Sequence, residues 1–146
     1  MTKDEFMLQY AELISYYQLI EMRLKGICAA LLADDNDIWY NQLLEQEAEP
    51  FGALLKKIRT LQTQTQKTAL SQEDLAALDE LRKTRNYWVH LCFVANVNSI
   101  VFTYGKNPEL KNPTHAPKLN RALSDAIEWD EKLTEVARQV IPLNRC

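Results

Sequence analysis

From Phe6 onward the apolar side chains of the chain recur in an unbroken four-three rhythm: Phe6, Tyr10, Leu13, Tyr17, Ile20, Leu24, Ile27 and Leu31. That spacing draws one continuous stripe along a helix, whereas a strand would alternate every second residue. It predicts a helix over residues 4–33, roughly 45 Å long at about 1.5 Å per residue, packed along its whole length. Leu78, Leu81, Arg85, Trp88, Cys92 and Ala95 repeat the rhythm, and so do Leu119, Ala122, Ala126, Trp129, Leu133, Val136 and Val140. They predict long helices over 72–95 and 117–140. Two shorter helices fit 38–46, with Ile38, Trp39, Leu43 and Leu44, and a stretch opening at Pro50 with Phe51, Leu54, Ile58 and Leu61. Only three Gly and five Pro occur in 146 residues, which disfavours a turn-rich β fold. The expected fold is all-α: an antiparallel helical bundle of three long and two short helices, in one domain spanning 1–146.

Punctuation supports these bounds. Asp34-Asp35-Asn36-Asp37 ends the first helix and can cap the next, and Ser71 with Asp74 resembles a cap for the central one. Glu21 and Lys25 are spaced to pair on an outer helix face. The polar run 63–68 reads as a linker. Residues 105–117, with Pro108, Pro113 and Pro117, read as a loop that carries His115 as a solvent residue. Residues 98–104 include the β-prone run Ile100-Val101-Phe102-Thr103-Tyr104 and fit either a continuing helix or a short extended piece. Pro142 ends the last helix.

Charge and cysteine usage exclude several classes. The net charge of −3 means that any nucleic-acid role must rest on a local basic patch. The cluster Lys56, Lys57 and Arg59 reads as a solvated face. Cys28, Cys92 and Cys146 are odd in number and widely spaced, which argues against a disulfide framework and fits a reducing cytoplasm. Only His90 and Cys92 lie close together, so no zinc site, metal or cofactor is expected. The acidic N-terminus lacks a signal-peptide pattern. Asn86, His90, Asn96 and Asn98 within the uncharged run 86–104 speak for a buried helix rather than a membrane span.

One stretch departs from the apolar pattern. Arg82-Lys83-Thr84-Arg85-Asn86-Tyr87-Trp88-Val89-His90 sets Arg85 on a seam that is otherwise apolar. With Arg85 at zero and about 100° per residue, Arg82 falls near 60°, Asn86 near 100° and His90 near 140°. Arg is seldom buried without a partner, so an ion pair or a phosphate should meet it. RNA carries its own nucleophile, the 2′-hydroxyl. His90 suits proton transfer near neutral pH, and Arg85 suits charge stabilisation on phosphoryl oxygens through its forked cation. Asn86 can support either group, while Arg82, Lys83 and Tyr87 are candidates for binding RNA. No metal is needed. A second copy across a symmetry axis would bring two such sets into one cleft.

Arg85-Asn86-Tyr87-Trp88-Val89-His90 on a long helix of a small bundle resembles the signature of the HEPN domain: Arg, a polar residue, then His a few positions on. The likeness extends loosely to Tyr17-Gln18-Leu19-Ile20-Glu21. It implies a metal-independent endoribonuclease, usually a homodimer with paired motifs in a shared cleft. Such domains serve in toxin–antitoxin systems, phage defence and RNA processing, often with an antitoxin or regulatory protein partner. By the same resemblance Arg85 and His90 are catalytic and Asn86 supports them. Some toxin members carry Tyr two residues after the His as a target of a partner nucleotidyltransferase; this chain has Cys92 there, which puts that mode of control in doubt. Two other readings stay open. Arg85 pairs with a buried carboxylate, for instance Glu21, in a non-catalytic regulator or protein-interaction module; or the pocket binds a nucleotide without cleaving it.

Overall fold

A computed structural model describes residues 1–33, 36–45, 49–91, 105–107, 109 and 114–141. Among them are five α-helices: α1 (Lys3–Leu32), α2 (Asn36–Glu45), α3 (Phe51–Thr65), α4 (Gln72–Asn86) and α5 (His115–Val140). α4 runs on directly into a π-helical turn, Tyr87–Leu91. The described residues contain no strand, and an isolated bridge joins Thr2 to Glu109. The all-α expectation is therefore met. The expectations for 98–104, Cys92, Cys146 and Pro142 fall outside the described residues, as do Asp34 and Asp35.

α1 is the spine. Thr2 and Glu5 form a reciprocal cap: the Glu5 amide donates to the Thr2 hydroxyl at 3.3 Å, and the Glu5 carboxylate accepts from the Thr2 amide at 2.9 Å. Every seam residue of α1 is buried except Tyr10, which is half-buried. The seam packs against α5 and α3, and its C-terminal turns against α2. There the Trp39 indole donates to the Gly26 carbonyl at 3.0 Å. A Cβ on Gly26 would stand 3.2 Å from Ile141 Cδ1, so glycine permits this close approach of the end of α5.

Cross-helix contacts fix the directions. Arg23 meets Asp130 and Gly26 meets Ile141, so α1 and α5 run parallel, a departure from the antiparallel bundle expected from the sequence. Asp74 meets Lys132 near the start of α4, while Thr84 and Tyr87 face Lys118 and Arg121 at its end. α4 thus runs antiparallel to α5. Gly52 lies against Arg82, and Gln62 bonds to Leu70 just before α4, so α4 is antiparallel to α3 as well.

Besides α2, which begins at Asn36 rather than at residue 38, two boundaries differ from the sequence reading. The expected linker at 63–68 begins inside α3, which continues to Thr65 and closes on Gln66 in the left-handed region, φ 57°. The Thr60, Thr63 and Thr65 hydroxyls bond back to the carbonyls of Lys56, Arg59 and Leu61, so this polar run stays compatible with a helix. Buried Gln62 then secures the turn: its amide oxygen accepts from Ala69 and Leu70 at 2.8 and 2.7 Å, and its nitrogen donates to the Leu70 carbonyl at 2.9 Å.

α5 starts at His115 rather than at Pro117. Pro117 is its third residue, and the first four amides of a helix have no partner within it, so the missing N–H removes nothing. His115 consequently is not a solvent residue. It is 2% exposed and sits edge-on to Trp88, ring centroids 6.5 Å apart. Burial holds its pKa below the ordinary value, and Lys118 adds to that effect.

Candidate functional site

The site is built where α4 changes register. A π-helical turn bonds residue i to i+5 and carries more residues per turn than an α-helix. A donor from elsewhere is present at this point: the Tyr10 hydroxyl, 78 positions away, donates to the Trp88 carbonyl at 2.9 Å. A side chain inserted at a helix carbonyl is a known cause of departure from the α ladder. Trp88 itself is locked in the core at 2% exposure, edge-on to Tyr87 with centroids 5.3 Å apart. Because each π step turns less than an α step, the backbone at His90 comes back toward the sector of Arg85 instead of standing about 140° away. The side chain of His90 lies outside what the structure describes.

Arg85 is held between α4 and α1. Its Nη1 donates to Asn86 Oδ1 at 3.2 Å, and its Nη2 stands 3.8 Å from Glu21 Oε2. Both ends of this ion pair are about four-fifths buried, with side-chain exposures of 22% and 20%. Glu21 therefore faces α4, and the outer-face pairing with Lys25 is corrected. A separation of 3.8 Å is an electrostatic approach rather than a hydrogen bond. Guanidinium has five N–H donors; among the described residues, that of Arg85 makes the one hydrogen bond, to Asn86. Tyr17 lies close by, its buried hydroxyl without a partner among the described residues. Burial raises the pKa of that phenol strongly, Asp125 adds to the rise and Arg85 opposes it.

The remaining sequence candidates point elsewhere. Arg82 Nε donates to Asp79 Oδ1 at 2.9 Å, and its stem lies against Gly52, where a Cβ would come within 3.0 Å of Arg82 Cδ. Arg82, Asp79, Lys56 and Arg59 line a depression of about 400 Å³ between α3 and α4. Lys56 and Arg59 are exposed, as expected of a solvated face, and border this depression, while Lys57 approaches Glu49 at 3.9 Å. Lys83 Nζ donates to Glu80 Oε1 at 2.8 Å. Together with Thr84, Tyr87 and Trp88 it lines a cavity of about 460 Å³, opposite Lys118, Arg121, Ala122 and Asp125 of α5.

The six candidate residues therefore do not form one cluster. Arg85 with Asn86 turns toward α1, Arg82 toward α3, and Lys83 with Tyr87 toward α5. Sequence reasoning missed Tyr17, Lys118, Arg121 and Asp125 as neighbours. The signal for the basic pair was present, since Lys118 and Arg121 are three apart on one face of a helix.

Among the described residues no group of three or more His, Cys, Asp or Glu side chains is gathered, and no helix is long and apolar enough to cross a membrane. Cys28 is fully buried, and burial pushes its thiol up to about 11, far from a reactive thiolate. Comparison of the chain with protein-family models, curated proteins and solved structures finds no match.

Proposed function

We propose that the chain is a metal-independent endoribonuclease of the HEPN type. The observation that carries this reading is the condition of Arg85. Arg85 keeps one hydrogen bond among the described residues, to Asn86, a 3.8 Å approach to Glu21, and further donors that none of those residues takes up. A phosphate would take up those donors as a forked, charge-assisted contact. The π register supports the same reading by drawing the His90 backbone toward Arg85.

The chemistry needs no further group. The substrate 2′-oxygen forms a bond to phosphorus and loses its proton, while the bond to the 5′-oxygen breaks and that oxygen gains a proton. His90 serves as general acid or base in these transfers, and Arg85 stabilises the charge that accumulates on the phosphoryl oxygens. Asn86 orients Arg85. The products are a 2′,3′-cyclic phosphate and a free 5′-hydroxyl. A homodimer would pair two such sets, and a role in a toxin–antitoxin or phage-defence system, with a regulatory protein partner, is consistent with the reading.

The purified protein is expected to cleave RNA in the presence of EDTA and to leave cyclic phosphate ends. His90→Ala should lower the rate by roughly 10²–10⁴. Unchanged cleavage in both Arg85→Ala and His90→Ala, with the fold intact by circular dichroism, would overturn the proposal. The Arg85–Glu21 contact favours one competitor, a non-catalytic helical module in which that pair is structural. It forecasts no RNA turnover at all, and loss of stability when either partner is removed.

A further inference from the structure

The cavity between the C-terminal end of α4 and the first turns of α5 is separate from the Arg85–Glu21 contact, and its composition is specific. Three cations line it, Lys83, Lys118 and Arg121, against one carboxylate, Asp125. This excess of positive charge sits on a chain whose net charge is −3. Lys83 is already paired with Glu80. Lys118 and Arg121 have no carboxylate partner among the described residues, although Asp125 lies one helical turn beyond Arg121. Cations that face a concavity unpaired repel one another and raise the local potential, and an anion relieves both effects.

The walls add a second requirement. Tyr87 and Trp88 contribute aromatic surface, Tyr87 being half-buried and Trp88 buried. Aromatic surface beside paired cations is the arrangement that holds a nucleobase and its phosphate together, the ring by stacking and the phosphate by charge. Asp125 and Thr84 offer acceptors for the amino and hydroxyl hydrogens of a base and ribose. A volume of about 460 Å³ suits one nucleotide-sized ligand. The first turn of α5 contains no acidic residue and Thr114 makes no side-chain cap there, so the helix's own first turn does not offset its positive end.

We infer that the α4–α5 cavity is a nucleotide subsite, in which Lys118 and Arg121 hold the phosphate and Tyr87 carries the base. The ligand is a nucleoside monophosphate unit, either free or as one residue of an RNA strand. In the second form it deepens the ribonuclease reading and rests on it, since the unit would flank the phosphate held by Arg85.

The test is binding by the full chain, measured by calorimetry with AMP and by fluorescence anisotropy with a short 2′-deoxy oligonucleotide that cannot be cleaved. Lys118→Ala/Arg121→Ala is the variant; both side chains are exposed, so folding should be unaffected. Affinity should fall at least about tenfold for whichever ligand uses the site. For the strand, the slope of log K against log salt should flatten by about 0.7, the contribution of the one phosphate no longer neutralised. A fall confined to AMP identifies a free nucleotide, and a fall confined to the oligonucleotide identifies a strand; either supports the subsite. Equal affinity and equal salt slope for both probes in the variant would overturn it. If the variant no longer binds while Arg85→Ala and His90→Ala leave cleavage unchanged, the cavity stands and the nuclease reading falls.

Discussion

The seam between α4 and α5 is closed at one end and open at the other. At the closed end Lys132 Nζ donates to Asp74 Oδ1 at 2.6 Å, and the same ammonium lies 5.1 Å from the Trp129 ring centroid. Opposite charges on facing helices draw this end together. At the open end α4 presents Lys83 and α5 presents Lys118 and Arg121, and a cavity of about 460 Å³ stands between them. The two ends differ in backbone as well as in charge: at the open end α4 passes into its π turn and α5 begins, and like charges face each other where the closed end has a complementary pair. Complementary pairs consolidate a seam, and like charges across it leave a place for an anion.

The largest effect expected at the open end is structural. Trp88 is buried there, against Tyr87 on one side and His115 on the other, and its carbonyl receives the Tyr10 hydroxyl. Trp88→Ala should cost about 3–5 kcal/mol of stability in denaturant unfolding, as large-to-small changes of buried aromatics do. A cost below about 1 kcal/mol would mean that the open end is not anchored by this ring, and the cavity would lose its structural meaning.

Two arginines three residues apart extend the contrast to the other sides of α4. Arg82 is paired at 2.9 Å with Asp79 of its own helix, whereas Arg85 approaches Glu21 of α1 at 3.8 Å. If phosphate is stabilised by the underused cation, Arg85→Ala should lower RNA cleavage by roughly 10²–10³, the scale of removing one transition-state donor. Arg82→Ala should lower it by less than about fivefold, through general electrostatics alone. Equal decreases in rate assays would erase the distinction between the two arginines.

How much of this was legible in the sequence follows from the range of each interaction. The seams of α1, α4 and α5 were readable because a heptad rhythm needs no knowledge of the partner helix. Glu21 could be named as a possible partner of Arg85 because a buried cation demands a carboxylate, though its loose geometry could not. The π turn was hidden, since the donor that meets the Trp88 carbonyl comes from Tyr10 in another helix. A projection at a constant angle therefore misplaced His90. His115 was misread for a local reason: Pro117 looked like the start of a helix, when a proline is equally at home at its third residue. Lys118 and Arg121 were overlooked because a basic pair near a helix start means nothing until the facing helix supplies Lys83 and Tyr87.

The smallest effect belongs to the closed end and is read as a pH dependence. The hydrogen bond from Lys132 holds the Asp74 carboxyl below the ordinary carboxylate range, with the Ser71 cap assisting. A carboxyl whose folded pKa is depressed stabilises the fold above its unfolded value, about 3.9, and that contribution disappears as pH falls through the folded pKa. Asp74 and Lys132 are 22% and 52% exposed at their side chains, so solvent screening limits the pair to no more than about 1 kcal/mol. Lys132→Met keeps much of the apolar stem and removes the charge. Its melting temperature should lie slightly below that of the parent protein at about pH 6, and the two curves should converge as the pH approaches about 2. Glu5 and Asp79 also carry depressed carboxyls, but they are unchanged in the variant and cancel in the difference. A gap that persists undiminished at low pH would show that Lys132 closes the seam through its packing on Trp129 rather than through its charge.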